Sequence, residues 1–422
     1  MKRTNIYKLK NDLTVIICDY PHLNSIYFDM AIKTGSRYEN RNNNGVSHLA
    51  EHLLQKKAIN SLKKHSWVKH YINDNFKAYS MVDRTNFEFG SHKNDIAISV
   101  QFLSKILKGL NITQKDIETE KKIILEELSE CKRDPIFVYD ELVKKLYYKN
   151  NPLSLEILGS KNSISKITLN DVNNLIKEYY QPENIILTVS GDVNHKKLIR
   201  LINNSLSFSP RPRKNKNNFQ KYIYPGDNIY IINQKQQQNY FGFHYPIFNH
   251  NAKENVKWEF FIEILGNYLF YTMKDKLFCY SIDANLRTYT EFFDFFIESF
   301  FAPQKTASFC SLLCKTLKNF KKSLSEKEFE YYKNKKLTTM DLDKDNPIIF
   351  ANMAGWYALM FKHDQVLDFS KQQKIIKSMI LKDIHNCFDK LFENKKGTVI
   401  ISGNVSKTQE QKIRKEWNNF KI

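Results

Sequence analysis

The sequence predicts an α+β protein made of two homologous sandwich domains, each a mostly antiparallel sheet with helices packed on it, and three observations carry that prediction. The first is a mixture of two periodicities. Leu13 to Ile17, Ile26 to Ala31 and Phe87 to Phe89 read as strands, being rich in β-branched and aromatic residues. Helical spacing runs from Asp95 to Leu107, Glu118 to Cys131 and Phe309 to Leu324. Strands interleaved with long helices, with hairpin-like connections near the start, fit helices laid on a sheet.

The second observation is an internal repeat. Ile164 to Val172, Tyr179-Tyr180, Ile185 to Val189 and Ser190-Gly191-Asp192-Val193 return as Ile376 to Ile384, Leu391-Phe392, Thr398 to Ile401 and Ser402-Gly403-Asn404-Val405. Asp171 to Asp383 and Gly191 to Gly403 are both separations of 212 residues, so helix, strand and Ser-Gly turn recur at a constant offset. The third observation is the stretch Ser209 to Gln220, SPRPRKNKNNFQ, whose prolines, basic residues and asparagines build no core and read as a linker. The implied division is a domain over 1–208, a basic linker over 209–220 and a homologous domain over 221–422.

Composition excludes several classes. At 422 residues the chain exceeds what one hydrophobic core supports, and 42% hydrophobic with 14% aromatic residues argues against disorder. No run approaches the roughly eighteen apolar residues of a membrane span; the greasiest, Phe292 to Phe301, is broken by Asp294 and Glu298. The basic start, Met1-Lys2-Arg3, leads into no apolar signal segment, and the six cysteines form no CxxC, so reduced thiols and a cytoplasmic location are expected. Cys310 and Cys314 stand one helical turn apart and read as packed core thiols. The net charge of +20 comes from lysines interspersed with acids, which reads as a solvated surface and not as a nucleic-acid footprint.

Chemistry concentrates in Asn44 to Leu54, NGVSHLAEHLL. As a helix it packs Val46, Leu49, Ala50, Leu53 and Leu54, while His48 and His52, four apart, project one turn from each other. That spacing suits two imidazole ligands to one zinc ion at about 2.0–2.1 Å. Glu51 then stands beside the metal and can take a proton from water whose pKa zinc lowers to roughly 7. This is the H-x-x-E-H order of the inverted zincins. A third ligand is required, and the acidic helix from Glu118 to Glu130 offers Glu126, Glu127 and Glu130, among which spacing does not choose.

These residues resemble the pitrilysin and insulysin family of zinc metallopeptidases, which includes mitochondrial processing peptidase and its bacterial relatives. Gly35-Ser36-Arg37-Tyr38-Glu39 with Asn44-Gly45, Ile123 to Leu128, Asn151-Pro152-Leu153 to Gly159, Tyr179 to Asn184 and Ser190-Gly191-Asp192 are similar to that family's pattern, almost along the whole chain. The resemblance implies Glu127 as third ligand, Glu120 as an accessory carboxylate and one zinc ion per chain. It implies a substrate-binding strand at Lys77, Ala78 and Tyr79, with Lys77 where the family has Asn. It also implies an Arg–Tyr pair that grips the substrate carbonyl. Tyr280 matches the Tyr, but Met273 stands at the ungapped Arg position and Lys274 at the position one gap away.

Short members of the family close a chamber by dimerising, and some divide zinc and Arg–Tyr between two chains. An intact metal motif beside a missing Arg implies the zinc-bearing member of a heterodimer, with a homodimer as the alternative. The expected function is hydrolysis of unfolded or small peptides, extending to leader or precursor processing. The alternative is a non-catalytic scaffold subunit.

Overall fold

The computed structural model describes residues 4–62, 74–108, 111–206, 222–248, 251–274, 279–361, 365–393 and 397–420, so the proposed linker 209–220 lies outside the described residues. In chain order the elements are β1 Thr4–Lys8, β2 Thr14–Asp19, β3 Ser25–Ile32, α1 Val46–Ser61, β4 Lys77–Ser80, β5 Thr85–His92, α2 Ile96–Leu107, α3 Gln114–Cys131, α4 Pro135–Val143, α5 Lys161–Lys166, α6 Leu169–Tyr179, β6 Ile185–Gly191 and α7 His195–Ser205. They continue as β7 Ile229–Asn233, β8 Asn239–Phe248, α8 Ala252–Lys274, β9 Ser281–Thr288, β10 Phe292–Phe301, α9 Thr306–Ser323, α10 Glu326–Asp345, α11 Pro347–Phe361, α12 Phe369–Ser378, α13 Leu381–Phe392, β11 Thr398–Gly403 and α14 Lys407–Asn418. The strands and helices expected from periodicity are all present, and the segment bearing the two histidines is helical.

By contact the chain forms two compact units, and neither is a continuous stretch. The first holds residues 1–138, 150–220 and 342–368; the second holds 139–149, 221–341 and 369–422. The exchanged pieces obey the repeat: Pro135 opens α4 and Pro347 opens α11, 212 positions apart. Each proline sits at a first helical turn, where the missing N–H costs nothing.

In the first unit the sheet order is β1-β2-β6-β3-β5-β4, antiparallel except for the β2–β6 pair. Strand alternation divides its side chains between two faces. Phe28, Met30, Ile32, Phe87, Phe89, Leu187 and Val189 share a core with Val46, Leu49, Ala50, Leu53 and Leu54 of α1 and with α2. The other face carries α11, packed on β2, β3 and β6. Ala351, Ala354 and Ala358 are buried there, and Gly355 lies so close that a methyl group would stand 2.8 Å from Thr188 Oγ1 and 2.9 Å from Asp29 Oδ2. Only a residue without a side chain admits that approach.

The second unit repeats the plan. Its sheet order is β7-β11-β8-β10-β9, with β7–β11 the parallel pair. Helix α8 packs on β9 and meets α9, α12 and α13, while α9 meets α14. Tyr139, from the exchanged segment, donates to the Ile400 carbonyl at 3.0 Å, and Tyr148 donates to Asp294 Oδ2 at 2.7 Å. Gly191 and Gly403 end β6 and β11 with φ of 146° and 144°, so the Ser-Gly turn is the same structure twice. Asp171 and Asp383 likewise each accept from a backbone N–H three residues upstream, at Thr168 and Ile380. Thr168 completes a capping box with its own hydroxyl, whereas Ile380 has no acceptor to return.

One polar group inside the first unit has a thermodynamic consequence. Asp29 is buried between β3 and α11, accepts from Asn86 Nδ2 at 2.8 Å, and is pushed up to about 7 by burial and then by the charge of Glu88. A folded-state pKa above the unfolded value of about 3.9 means the native protein holds the extra proton between the two, so stability falls as pH rises through that window. Asp29→Asn should therefore flatten the decline between pH 5 and pH 7.5 by roughly 2–3 kcal/mol in urea unfolding.

Candidate metal centre

Helix α1 begins at Gly45, whose φ of 97° suits glycine and whose missing Cβ leaves room for the Leu158 carbonyl, 2.9 Å from where that atom would be. Gly45 brings no side chain to cap the helix. The cap comes from Glu39, which is buried. Its Oε2 accepts from Gly45 N at 2.7 Å and Asn44 Nδ2 at 2.8 Å, and its Oε1 accepts from Ser47 N at 2.7 Å. A carboxylate at a helix N-terminus satisfies orphan donors and faces the positive end of the helix dipole. Burial still raises the Glu39 pKa, against the lowering effect of those hydrogen bonds. Upstream, Arg37 forms a buried ion pair with Asp83 at 2.8 Å, and the Ser36 and Arg37 amides donate to the Met81 and Val82 carbonyls. The Gly35–Glu39 segment thus joins the β4–β5 turn to the start of α1.

One turn into α1, His48 and His52 have ring centroids 4.5 Å apart. Glu127, from α3, places Oε2 at 3.8 Å from Nε2 of each histidine. The three donor atoms lie within 4.8 Å of one another, and this is the one group of three or more His, Cys, Asp or Glu residues among the described residues that could hold a metal ion. A tetrahedral zinc ion with bonds of about 2.0–2.1 Å separates its ligand atoms by roughly 3.3–3.5 Å, so the set fits with small adjustment. Burial, helped by the charge of His52, pushes His48 down to about 3, which keeps the imidazole neutral as a ligand must be. Glu126 and Glu130 are exposed and lie outside the group.

The surroundings support the ligands. Glu120 is buried, with Oε2 3.6 Å from His52 Nδ1, and its other oxygen accepts from Lys56. That is the carboxylate–histidine support common behind metal ligands. Glu51 is buried on the same helix and accepts from Ser80 Oγ at 2.9 Å. Burial pushes Glu51 up to about 7, with a smaller push from Glu127 and an opposing pull from Ser80. A carboxyl poised near neutrality is suited to exchanging protons with water.

Strand β4 ends the sheet and, among the described residues, has β5 alone as a partner. Alternation sends Ser80 to the α1 face, whereas Tyr79 donates to Glu88 on the α11 face. Lys77 pairs in register with Glu88 and is exposed, so it shares the Tyr79 face, and Ala78 shares that of Ser80.

Tyr280 belongs to the second unit, exposed and stacked on Phe300 at 6.0 Å. Met273 is fully buried in the core of that unit and receives the Thr316 hydroxyl at 3.8 Å from its sulfur. Lys274 is exposed, with Nζ 4.6 Å from the Phe270 ring centre. Part of the Tyr271–Ser281 match, 275–278, lies outside the described residues. Glu39, Lys56 and Ser80 were not singled out from sequence. Glu39 had a signal, as the end of the Gly35–Glu39 motif, and Ser80 one as the residue after the strand Lys77 to Tyr79.

Comparisons with known proteins show what the chain is similar to. Residues 15–161 match the model of insulinase (peptidase family M16), and 166–336 match that of the peptidase M16 inactive domain. An uncharacterized zinc protease of Rickettsia felis is 29% identical over 234 residues, 55% of this chain and 56% of that protein. The mitochondrial-processing peptidase subunit beta of Saccharomyces cerevisiae is 31% identical over 202 residues, 47% and 43% of the two chains. The chain thus spans about half the length of the curated relatives it matches. Among solved structures, a protease from Helicobacter pylori superimposes with a TM-score of 0.83 at 18% identity, covering 95% of this chain and all of that one. A peptidase M16 inactive domain from Pseudomonas fluorescens gives 0.81 at 14% identity, covering 96% and 98%.

Removal of the distal cap tests how α1 is held. Glu39→Ala leaves the Gly45 and Ser47 amides without their acceptor and should cost roughly 2–3 kcal/mol in denaturant unfolding.

Proposed function

The chain belongs to peptidase family M16, and on that premise we propose that it is a zinc metallopeptidase that hydrolyses unfolded or small peptides. The observation that carries this reading is one carboxylate oxygen of Glu127 standing 3.8 Å from both histidine Nε2 atoms, with buried Glu51 beside them. His48, His52 and Glu127 would hold the ion, and Glu120 would orient His52. Zinc, when bound, supplies a Lewis acid that polarises a carbonyl oxygen and acidifies water.

The chain's own residues do the rest. Glu51, held by Ser80, accepts a proton from the attacking water at a carboxylate oxygen and then gives it to the departing amine nitrogen. Among the described residues the outer edge of β4 pairs with no strand, and its backbone donors and acceptors offer a line along which a peptide can lie as an added strand. Ala78 and Ser80 would face its reacting bond, while Lys77 and Tyr79 would face its alternate side chains.

Assembly follows from the second unit. Met273 is core, and no arginine stands at its position, so we propose that a homologous partner supplies an Arg–Tyr pair, with Tyr280 a lesser contact. Named relatives that are processing-peptidase beta subunits support a partner-dependent enzyme acting on leader or precursor peptides. The matches to inactive domains favour a second reading, a scaffold subunit without catalysis.

Two experiments separate these readings. Glu51→Gln should bind zinc like the parent but lose cleavage by at least 10³-fold, whereas Glu127→Ala should lose zinc and Glu120→Gln weaken it 10–100-fold. Zinc titration with a fluorogenic peptide assay reads both, and residual cleavage by pure Glu51→Gln rejects Glu51 as the base. Purified alone, the chain should show weak but measurable cleavage that a homologous partner chain raises; full activity as a homodimer would sink the heterodimer.

A further inference from the structure

On the face of the first sheet opposite α1 lies a cavity of about 400 Å³ that the mechanism leaves unused. Its floor is a row across three strands, in which Ala31 pairs with Asn86 and Asn86 with Tyr79, flanked by Asp29. Its roof is α11, through Ile349, Asn352, Met353 and Trp356. Beside that row, on the same face, Glu88 accepts from the hydroxyls of Tyr27 and Tyr79, a carboxylate already supplied with donors.

The polar atoms of this cavity are unbalanced in one direction. Asn86 is 4% exposed, and its Nδ2 is committed to Asp29, so its Oδ1 lines the cavity without a hydrogen-bond partner. Tyr27 gives its proton to Glu88 and therefore accepts from the amide nitrogen of Asn352, which leaves Asn352 Oδ1 buried and unpartnered as well. Asp29 adds a carboxyl group, raised to about 7 by burial and so an anionic acceptor in assays run above that pH. Acceptors are in excess, and unsatisfied buried acceptors are costly. Arg84, the one cation among these lining residues, makes no close salt bridge to a carboxylate among the described residues, although its charge acts on Asp29 and offsets part of the acceptor excess. An incoming group that brings N–H donors and positive charge would complete all three acceptors and meet the aromatic side chains of Tyr79 and Trp356.

We infer that this cavity is a specificity pocket for a lysine or arginine side chain of a peptide laid along β4. The inference rests on the peptide-strand reading above. A strand added beside β4 continues the Ala31–Asn86–Tyr79 row, so its residue opposite Tyr79 points to the α11 face, at the mouth of the cavity. Its two neighbours in sequence point to the face of Ser80, where Glu51 and the histidines stand. The pocket therefore reads residues out of phase with those held at the metal face. An acidic side chain there would lie against Asp29 and Glu88.

The test uses the full chain carrying Glu51→Gln, so that binding is read without turnover. Fluorescent peptides carry a single lysine, norleucine or glutamate scanned along one apolar sequence. At one register position lysine should bind at least 10-fold tighter than norleucine, and glutamate more weakly than either. Adding Asp29→Asn should erase the lysine preference while norleucine peptides keep their affinity within two-fold. Asn352→Leu, on the half-buried roof, should reduce the preference several-fold and serves if the first variant does not fold. No discrimination at any position, a preference that survives both substitutions, or no peptide binding at all overturns the pocket. Cleavage by the parent without charge preference rejects the pocket and leaves the peptidase; selective binding without any cleavage by the parent does the reverse.

Discussion

The Glu39 carboxylate is the interaction on which the site depends. Helix α1 starts at a glycine because the chain passes within contact distance of Leu158 and Gly159, and a glycine cannot cap. The donors left open are met by a side chain from before the turn, which fixes where the helix begins and how it is rotated. His48, Glu51 and His52 inherit their directions from that phase. A slip of one residue would turn each of them by about 100°. The buried Arg37–Asp83 pair beside it ties the same segment to the β4–β5 turn, so the helix of the two histidines and the edge strand are positioned by one five-residue stretch.

Strand β4 is short, yet each of its faces meets a separate set of partners. Ser80 reaches Glu51 on one side, while Tyr79 reaches Glu88 on the other. The alternation that makes a sheet therefore puts the contact with Glu51 and the contact with Glu88 on opposite faces without any loop. Burial sharpens both sides: Glu51 and Asp29 are each raised to about 7 chiefly because solvent is excluded. The two carboxyls are thus tuned by the same physical cause on opposite faces of the same sheet.

Features written in local sequence were legible before the structure. The two-period pattern placed the strands and helices, and the 212-residue offset found turns that prove identical at Gly191 and Gly403. The pair His48 and His52 was legible because helical spacing alone brings four-apart residues together. Glu127 was not separable from Glu126 and Glu130 by spacing; only the packing of α3 against α1 brings one of them to the histidines. Glu39 escaped notice as a cap because it acts across a turn, beyond the usual capping positions. Asp29 looked like an ordinary polar residue in a strand, since its burial depends on α11, more than three hundred residues later. The contiguous division at 209–220 likewise carried no sign that segments 139–149 and 342–368 group with the opposite halves.

That exchange has a consequence for biosynthesis. A ribosome that has made the first two hundred residues has made a sheet with one face uncovered, because α11 is still some 140 residues from being translated. Ile16, Ala31 and Ile186, together with the Asp29 carboxyl, must wait in contact with water or a chaperone until Phe361 emerges. The first unit is thus completed only after most of the second has been synthesised. A fragment ending at the linker would be half-finished, not an independent domain, while two separately expressed halves would each carry the piece the other lacks.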